Sequence, residues 1–382
     1  MSAQIKPVVV AAMRTPQGKK NGMFSEIRGE DLSIEIINQV LQATEIRSGE
    51  VDDLIWGCAL QRGEQDNNIA RIIGLMSSLG ESVPATTVNR WCASAMQAIM
   101  TGSDSISAGQ RDCVIAGGVE HMTRVSMEEG SSYGKMYPGF VQKYNLFELY
   151  MGMTAEAVAM EYGISRKDQD EYALRSHKNA NLATESDKFG EEIVPIKVEG
   201  EVKDSDEGIR RDTSIEKLKG LRPVFKSDGT VTAGNSSQIA DGASVVVITS
   251  DVFAEEHGLE ILATVETHAV VGVDPRLMGI GPVPATKKLL SRMDKQIEDF
   301  DLVELNEAFA SQCLYCQREL KIPEERFNVN GGAIAIGHPL GASGARLPVS
   351  LIHEMNRRNS KLGLATMCVG FGQGAAMAFS RE

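Results

Sequence analysis

Residues 88–100 read VNRWCASAMQAIM and place one cysteine, Cys92, between an apolar approach and a run of small residues. Residues 85–88 predict a short strand, and residues 96–100 continue as a helix. A strand, a sharp turn that carries a nucleophile and a helix form the general pattern of a nucleophile elbow. Because unpaired amides at a helix start stabilise negative charge, this setting predicts a lowered pKa for the Cys92 thiol. The alternative is that Cys92 is a small buried core residue, as most free cysteines are.

Strands and helices alternate on both sides of this stretch. The predicted strands of the first half are 8–13, 51–60, 85–88 and 113–118, and its predicted helices are 31–43 and 67–79. This alternation predicts an α/β unit with a largely parallel sheet. The length of 382 residues indicates two or three packed units.

The second half repeats this order. Residues 300–309 align with 51–60, residues 328–346 with 88 onward, and residues 362–369 with 112–117. Residues 375–380 then predict an edge strand, whose counterpart in the first half is residues 241–250. We therefore predict an N-terminal half at 1–118 completed by the strand at 239–250, an inserted loop domain at 119–238, and a C-terminal half at 251–382.

Two features of the predicted insertion differ from the core. Residues 154–162 and 167–186 predict helices, the second with Ser165 as its N-cap. The acidic run at 199–207 predicts a solvated segment, which is the usual meaning of clustered charge.

Composition limits the partners and the compartment. The net charge of −13 disfavours nucleic acid as a partner, because no cationic excess is present to neutralise phosphates. The only CxxC spacing, Cys313 and Cys316, lies in a predicted helix, where two packed thiols are favoured over a zinc or redox site. No apolar window approaches the length of a membrane span, and the run at 8–13 is too short for a signal peptide. We predict a cytoplasmic protein with no metal and no permanently bound cofactor.

Three more motifs lie in the second half. Residues 328–346 read NVNGGAIAIGHPLGASGAR and contain His338, residues 367–374 read MCVGFGQG and contain Cys368, and residues 305–310 read LNEAFA and contain Asn306. Together with the Cys92 stretch they resemble the thiolase family, most closely the degradative 3-ketoacyl-CoA thiolases, over nearly the whole chain. The resemblance implies a thiolase-like duplicated α/β core, in which two mixed, largely parallel sheets are sandwiched with helices, and an inserted loop domain.

The resemblance also implies catalytic roles. Cys92 would be the acylated nucleophile, because a thiolate is a strong nucleophile and forms a transferable thioester. His338 would be its base and Cys368 a second acid/base. Asn306 would hold a water that forms one oxyanion hole with His338, and the backbone N–H groups of Cys92 and Gly370 would form the other. The alternatives are a turn histidine for His338 and a buried core thiol for Cys368.

Coenzyme A would enter as a substrate. Residues 234–238 resemble the family's AGNxS segment, in which Ser237 would contact pantetheine, and Arg210 would lie near the adenine. The alternative for Arg210 is a solvated surface charge. Neither a Walker A motif nor a GxGxxG motif follows a strand, so nucleoside triphosphates and nicotinamide cofactors are disfavoured. The partners implied are acyl-CoA and CoA, with a homodimer or a dimer of dimers as the assembly; a complex with a β-oxidation hydratase and dehydrogenase stays open.

The implied function is thiolytic cleavage of 3-ketoacyl-CoA to acetyl-CoA and a shortened acyl-CoA. The alternatives are an acetyl-CoA C-acetyltransferase, a decarboxylating ketoacyl synthase and a non-catalytic acyl-CoA-binding protein; presence of Cys92, His338 and Cys368 disfavours the last. Two departures concern the acyl pocket. Tyr150 occupies the position where short-chain biosynthetic thiolases carry a histidine, and Trp91 precedes the nucleophile where many relatives carry other residues.

Overall fold

The structure, a computed structural model, describes residues 5–127 and 136–381. Residues 128–135 of the predicted insertion lie outside the described residues. The first half contains β1 (Pro7–Arg14), β2 (Gly18–Lys19), α1 (Gly29–Thr44), β3 (Asp53–Gly57), α2 (Ile69–Met76), β4 (Ala85–Val88), α3 (Ser94–Ser107) and β5 (Cys113–His121). The predicted strand at 85–88 is therefore confirmed, and the other predicted elements of this half are found with shifted ends.

The remaining elements follow in two groups. After β5 come α4 (Pro138–Lys143), α5 (Met151–Glu161), α6 (Arg166–Glu185), β6 (Ile196–Val198), β7 (Glu201–Lys203), α7 (Ile215–Lys219) and β8 (Ala240–Ser250). The second half contains α8 (Asp251–Glu256), β9 (Ala263–Gly272), α9 (Pro282–Met293), β10 (Leu302–Leu305), α10 (Ala310–Leu320), α11 (Ala333–Ile336), α12 (Leu340–Arg358), β11 (Leu362–Val369) and β12 (Gln373–Ser380).

The main sheet is mixed, as predicted, but it is one sheet rather than two. Its order is β10-β11-β12-β9-β1-β8-β5-β3-β4, with β2 paired to β8. The two halves join where Val8 and Val9 of β1 pair with β9. Parallel pairing is confined to β3 with β4, β3 with β5, and β10 with β11, so among the described strands antiparallel pairs outnumber parallel ones.

The prediction of an edge strand at 375–380 was wrong. β12 pairs with β11 on one side and with β9 on the other. The strand β9, which the sequence pattern did not reveal, covers the side that would otherwise be open. The edges of the sheet are β10 and β4.

The strands that flank the predicted insertion are neighbours. β5 pairs antiparallel with β8 from Cys113 opposite Thr249 to His121 opposite Asp241. The chain thus leaves the sheet after β5 and returns to the adjacent position at β8. The domain boundaries themselves stay a prediction.

Equivalent aspartates support the internal duplication. The alignment of 51–60 with 300–309 pairs Asp52 with Asp301. The Asp52 carboxylate accepts N–H bonds from Asp112 and Cys113, 2.7 and 3.0 Å long. The Asp301 carboxylate accepts from Lys361 and Leu362, also 2.7 and 3.0 Å. In each half one aspartate therefore fixes the start of the neighbouring parallel strand.

The helices α3 and α12 form the layer between the two halves. They contact each other, and α12 contacts β5 and β8 of the first half as well as β10 and β11 of the second. Close approach depends on glycines: a Cβ on Gly344 would lie 2.3 Å from the Met96 backbone nitrogen, and one on Gly57 would lie 2.3 Å from the Ala95 nitrogen. The helix starts that follow Cys92 and His338 are thus packed together.

Two predictions for the insertion have opposite outcomes. The Ser165 hydroxyl accepts the Asp168 N–H and caps α6, as predicted. The acidic run at 199–207 is not uniformly solvated, because Asp206 is buried and accepts two bonds from the Arg14 guanidinium, 2.7 and 2.9 Å long. Arg14 also binds Glu192 at 2.6 Å. A buried cation needs such partners, which the charge pattern alone does not reveal.

None of the helices in the described ranges is long and apolar enough to cross a membrane. Within residues 5–127 and 136–381, no three His, Cys, Asp or Glu side chains are arranged to hold a metal ion. Cys313 and Cys316 are free thiols that pack in the hydrophobic core of the second half, as expected for two thiols on a packed helix face.

Candidate active site

Cys92 lies in the tight turn between β4 and α3. Its side chain is buried, and the backbone N–H groups of Gly370 and of Cys92 itself donate to the sulfur. Gly370 follows β11, so the turn from one half meets a turn from the other half at this sulfur. These are the two amides predicted to form an oxyanion hole, and their convergence on one atom fits that geometry.

The prediction of a lowered pKa for Cys92 was wrong. Burial raises the pKa of the thiol to about 12, although the amides of Gly370 and Cys92 act in the opposite direction. α3 begins only at Ser94, and burial is the largest influence on the pKa of the thiol. The resting residue is therefore a thiol, and a base must remove its proton during the reaction.

Cys368 lies next to Cys92 at the end of β11. Burial raises the pKa of the Cys368 thiol well above its usual range, and the proximity of Cys92 raises it further. The Cys368 side chain packs against Ala308 and Phe309, next to Asn306. The structure thus brings the two predicted catalytic thiols together in a dry environment.

His338 lies between α11 and α12, and its hydrogen bonds fix its tautomer. The Ser343 hydroxyl donates to the Pro339 carbonyl at 2.8 Å, so its oxygen is left to accept from His338 Nδ1 at 2.6 Å. Nδ1 consequently carries the proton, and Nε2 is the acceptor. Burial, followed by the nearby Arg346 charge, lowers the pKa of His338 to about 3, so the ring is neutral and available as a base.

Asn306 faces the unprotonated nitrogen of His338. The carboxamide Nδ2 lies 3.2 Å from His338 Nε2. Its Oδ1 lies 3.5 Å from Nη2 of Arg346, a buried guanidinium on α12. Burial is the largest influence on Arg346 and lowers its pKa, while Glu304 acts against it. Arg346 thus orients the amide so that its N–H groups point toward the histidine.

Glu307 holds the loop that carries Asn306. Its carboxylate accepts from Tyr172 Oη at 3.0 Å, Ser176 Oγ at 2.6 Å, Asn328 Nδ2 at 3.2 Å and the Ile334 N–H at 3.1 Å. With four donors around it, this buried carboxylate ties the Asn306 loop to α6 and α11. Glu307 thus orients the loop that carries Asn306.

Glu120 connects the two halves beneath the site. Its buried carboxylate accepts from the N–H groups of Ala59 at 2.9 Å, Leu60 at 3.2 Å and Gly341 at 2.9 Å, and from Gln65 Nε2 at 2.6 Å. Burial is the largest influence on Glu120 and raises its pKa, against these four donors. Since Gly341 lies in the first turn of α12, Glu120 fixes the helix start that follows His338.

The predicted CoA contact Ser237 lies next to a residue that binds the His338 backbone. The Ser237 N–H donates to the Ala308 carbonyl at 2.9 Å, and the next residue, Gln238, accepts the His338 N–H at 3.0 Å. Gln238 Nε2 also donates to the Gly208 carbonyl at 2.8 Å. Gln238 therefore links the His338 loop to the segment that carries Arg210.

Arg210 lines a separate cavity of about 280 Å³ with Lys178, Arg211, His177 and neighbours on α6. The Arg210 N–H donates to His177 Nδ1 at 3.1 Å. Burial, followed by the Arg210 charge, lowers the pKa of His177 to about 4. Three cationic side chains around one cavity form a local positive surface on a chain whose net charge is −13.

The structure also contains site residues that the sequence analysis did not single out. Ser343 and Arg346 both lie within the quoted 328–346 motif, three residues apart on α12. Ser343 contacts His338, and Arg346 contacts Asn306. Their spacing places them on one helix face, and this was the signal available from the sequence. Gln238 and the Glu120 contacts give no local signal, because their partners are distant in the chain.

Comparison with known proteins agrees with this geometry. Residues 7–252 match the thiolase N-terminal domain and residues 259–381 match the thiolase C-terminal domain. The 3-ketoacyl-CoA thiolase of Vibrio parahaemolyticus is 46% identical over 387 residues, covering 98% of each chain. The 3-ketoacyl-CoA thiolase of Bacillus subtilis is 46% identical over 386 residues, covering 97% of this chain and 98% of that protein.

Two crystal structures cover all of this chain and are covered entirely by it. The Bacillus anthracis acetyl-CoA acetyltransferase has a TM-score of 0.91 at 39% identity. The human mitochondrial 3-ketoacyl-CoA thiolase has a TM-score of 0.91 at 38% identity. With both domains matched and the fold shared over its full length, this chain belongs to the thiolase family.

Proposed function

We propose that this protein cleaves 3-ketoacyl-CoA with CoA, giving acetyl-CoA and an acyl-CoA that is two carbons shorter. The observation that carries this proposal is the convergence of the Gly370 and Cys92 amides on the Cys92 sulfur, with Cys368 beside it. The full-length relatives at 46% identity are named 3-ketoacyl-CoA thiolases, which supports the same reaction.

The first half-reaction begins with a neutral thiol and a neutral imidazole. His338 Nε2 takes the Cys92 proton as the sulfur attacks the 3-keto carbon of the substrate. The amides of Cys92 and Gly370 stabilise the resulting oxyanion. Because burial disfavours a free thiolate, we expect proton removal and carbon–sulfur bond formation to be coupled.

Collapse of this intermediate breaks the bond between carbons 2 and 3. The acetyl-CoA portion leaves as an enolate, and Cys368 donates a proton to its carbon. Asn306, through a water, and protonated His338 stabilise the enolate oxygen. The acyl group stays on Cys92 as a thioester.

The second half-reaction releases the acyl group to CoA. A base must take the CoA thiol proton, and the Cys368 thiolate left by the first half-reaction supplies it. The CoA sulfur attacks the Cys92 thioester, whose oxygen accepts hydrogen bonds from the same two amides. Cys92 leaves and recovers its proton from His338, so the resting state is restored.

CoA contacts form the second part of the proposal. Ser237 would contact pantetheine, since it lies beside the Asn306 loop and next to Gln238, which binds the His338 backbone. Arg210 would bind the adenine end, with Lys178 and Arg211 next to it for phosphate. Coenzyme A would be a substrate and leave after each cycle.

Acetyl-CoA C-acetyltransferase activity is the second candidate. It is the reverse reaction with the shortest acyl group and requires the same residues. The equal TM-scores of 0.91 to an acetyl-CoA acetyltransferase and to a 3-ketoacyl-CoA thiolase favour keeping it as an alternative. Comparing thiolysis with condensation of acetyl-CoA in one preparation distinguishes the two.

The decisive experiment is intact-mass spectrometry after incubation with 3-ketohexanoyl-CoA. We expect a butyryl adduct on Cys92 that disappears when CoA is added, together with release of acetyl-CoA. Cys92→Ala should give no adduct, and Cys113→Ala, which removes a buried thiol from the same half, should behave like the wild type. An adduct on another cysteine, or binding without an adduct, would contradict the proposal.

A pair of variants tests the roles of His338 and Asn306. His338→Ala should suppress acylation itself, because it removes the base. Asn306→Ala should keep a reactive Cys92 and lose roughly 10²–10³-fold in the carbon–carbon bond step. The double variant should be little worse than His338→Ala, since the two residues act on one intermediate. If Asn306→Ala slows Cys92 alkylation while His338→Ala does not, the two roles are reversed.

Assembly and compartment complete the proposal. The edge strand β4 lies beside α2, whose Leu75 and Met76 are 44% and 68% exposed. An open edge next to an apolar helix face supports a homodimer. All six cysteines are free, which supports a cytoplasmic location. Light scattering of the purified chain would test the dimer, and addition of a β-oxidation hydratase and dehydrogenase would test the larger complex.

A further inference from the structure

Two aromatic residues next to the reacting groups have a left-handed backbone. Trp91, directly before Cys92, has φ +47°, and Phe371, directly after Gly370, has φ +60°. A bulky side chain at positive φ is a steric outlier, because its Cβ approaches the backbone carbonyl. Such conformations persist only where the surroundings impose them, and they cluster at functional sites.

Hydrogen bonds hold the first of these residues in place. The Asn89 side chain accepts the Trp91 N–H at 2.8 Å. The Trp91 carbonyl accepts from the Ser94 hydroxyl at 2.6 Å and from the Ser94 N–H at 3.0 Å. The turn is therefore fixed at both sides of the tryptophan, and the indole direction is fixed with it.

The two rings pack against each other over the site. The Trp91 and Phe371 ring centroids are 5.3 Å apart, and Phe140 of α4 meets Phe371 edge-on at 5.7 Å. The indole also lies on Gly370, where an added Cβ would be 3.1 Å from Trp91 Cγ. Gly370 is the residue whose amide binds the Cys92 sulfur, so the aromatic pair stands directly beside the reacting atom.

The pair lines a small apolar cavity that opens on Cys92. Its volume is about 110 Å³. Among the described residues, the lining besides Cys92, Gly370, Trp91, Phe371 and Arg62 is aliphatic or thioether: Leu60, Met127, Met136, Leu149, Met151 and Leu340. Trp91 and Phe371 form part of its boundary, so the two rings limit the space next to the Cys92 sulfur.

We propose that Trp91 and Phe371 are specificity-determining residues that restrict the acyl group on Cys92 to short and medium chains. The inference rests on the proposed thiolysis and names its substrate class. The preferred substrates are 3-ketoacyl-CoA molecules with short and medium chains, for which 3-ketohexanoyl-CoA and 3-ketooctanoyl-CoA are the test cases. A longer chain meets one of the rings, which the fixed turn and the ring packing hold in place.

Glycine variants of Trp91 and Phe371 test this restriction without introducing backbone strain. Trp91→Gly and Phe371→Gly remove the rings at positions where glycine tolerates the positive φ. Lys321→Gly is the matched control, because Lys321 ends α10 with φ +56° and does not line the cavity. Thermal unfolding of each variant checks that the fold is kept, and Trp91→Leu and Phe371→Leu provide smaller side chains if a glycine variant does not fold.

The measurement is kcat/KM for thiolysis of 3-ketohexanoyl-, 3-ketooctanoyl- and 3-ketohexadecanoyl-CoA. We expect the wild type to be at least about tenfold less efficient with the sixteen-carbon substrate than with the six-carbon one. Each Trp91 or Phe371 variant should raise the ratio of kcat/KM for the sixteen-carbon substrate to kcat/KM for the six-carbon substrate about tenfold or more. Lys321→Gly should leave this ratio unchanged.

Two results would overturn the inference in different ways. The rings do not limit chain length if the wild type has equal kcat/KM for all three substrates, or if the Trp91 and Phe371 variants keep the wild-type ratio. Either result would leave the proposed thiolysis unaffected. A wild type that cleaves none of the three would refute the proposed function, and the inference with it.

Discussion

Replacement of Ser343 by alanine should impair His338 without touching any atom that reacts. The hydroxyl donates to the Pro339 carbonyl at 2.8 Å and accepts from His338 Nδ1 at 2.6 Å. Without it, the Nδ1–H group has no partner in a site where the histidine is 5% exposed. The proton is then free to move to Nε2, which removes the acceptor that Cys92 requires.

The size of the effect follows from the lost hydrogen bond. An unpaired buried donor costs about 1–3 kcal/mol. At ~1.4 kcal/mol per factor of ten, the fraction of histidine in the competent tautomer falls roughly 5–150-fold. We therefore expect Ser343→Ala to reduce kcat for thiolysis, and the rate of Cys92 alkylation by iodoacetamide, by about one to two orders of magnitude.

A matched control separates this effect from a general loss of stability. Ser350 lies on the same helix, is buried, and donates to Glu192 at 3.1 Å. Ser350→Ala thus removes a buried hydrogen bond of α12 that does not involve His338. If Ser343→Ala and Ser350→Ala show the same kcat and the same alkylation rate, Ser343 does not set the tautomer and the reasoning fails.

Three further predictions concern thiols and pH. Iodoacetamide should label Cys92 before the other five cysteines, and peptide mapping checks this. Cys92 is the one cysteine in the lining of the cavity beside Trp91, and it is 4% exposed, whereas the others are at most 1% exposed. Cys368→Ser should still form the acyl-enzyme, seen by intact mass, but turn over ~10²–10⁴-fold more slowly, because a hydroxyl is a far weaker acid than a thiol. Burial lowers the pKa of His177 to about 4, whereas the unfolded chain takes up the proton near its ordinary pKa of about 6.5. Native stability is therefore lost as the pH falls through this window, and His177→Gln should reduce the loss of melting temperature between pH 7.5 and pH 5.

The sequence predicted those parts of the fold that depend on local pattern. The strand at 85–88 and the Ser165 cap were found where the residues place them, since both depend on neighbours within a few positions. The internal repeat was also correct, and Asp52 and Asp301 show it in equivalent contacts. The position of β12 was not predictable in this way, because it depends on β9, whose residues 263–272 carry no clear alternation.

The structure brings predicted site residues together, but the electrostatics of the site differ from the prediction. The prediction for Cys92 assumed that the helix start has the largest effect on the pKa of the thiol. In the structure the second half covers the sulfur, and burial outweighs the amides. Burial also lowers the pKa of His338 to about 3. Burial is a property of the assembled chain, so no single motif reveals it.

The proposed catalytic groups are divided between the two halves. Cys92 comes from the first half, and Gly370, His338 and Asn306 come from the second, with Glu120 holding the two together at Gly341. A thiol that is neutral at rest needs both a base and an oxyanion site at the moment of attack, and the proposed base and one of the two oxyanion amides lie in the other half. In the proposed mechanism the activity therefore depends on the packing of α3 against α12, which the glycines at this contact permit.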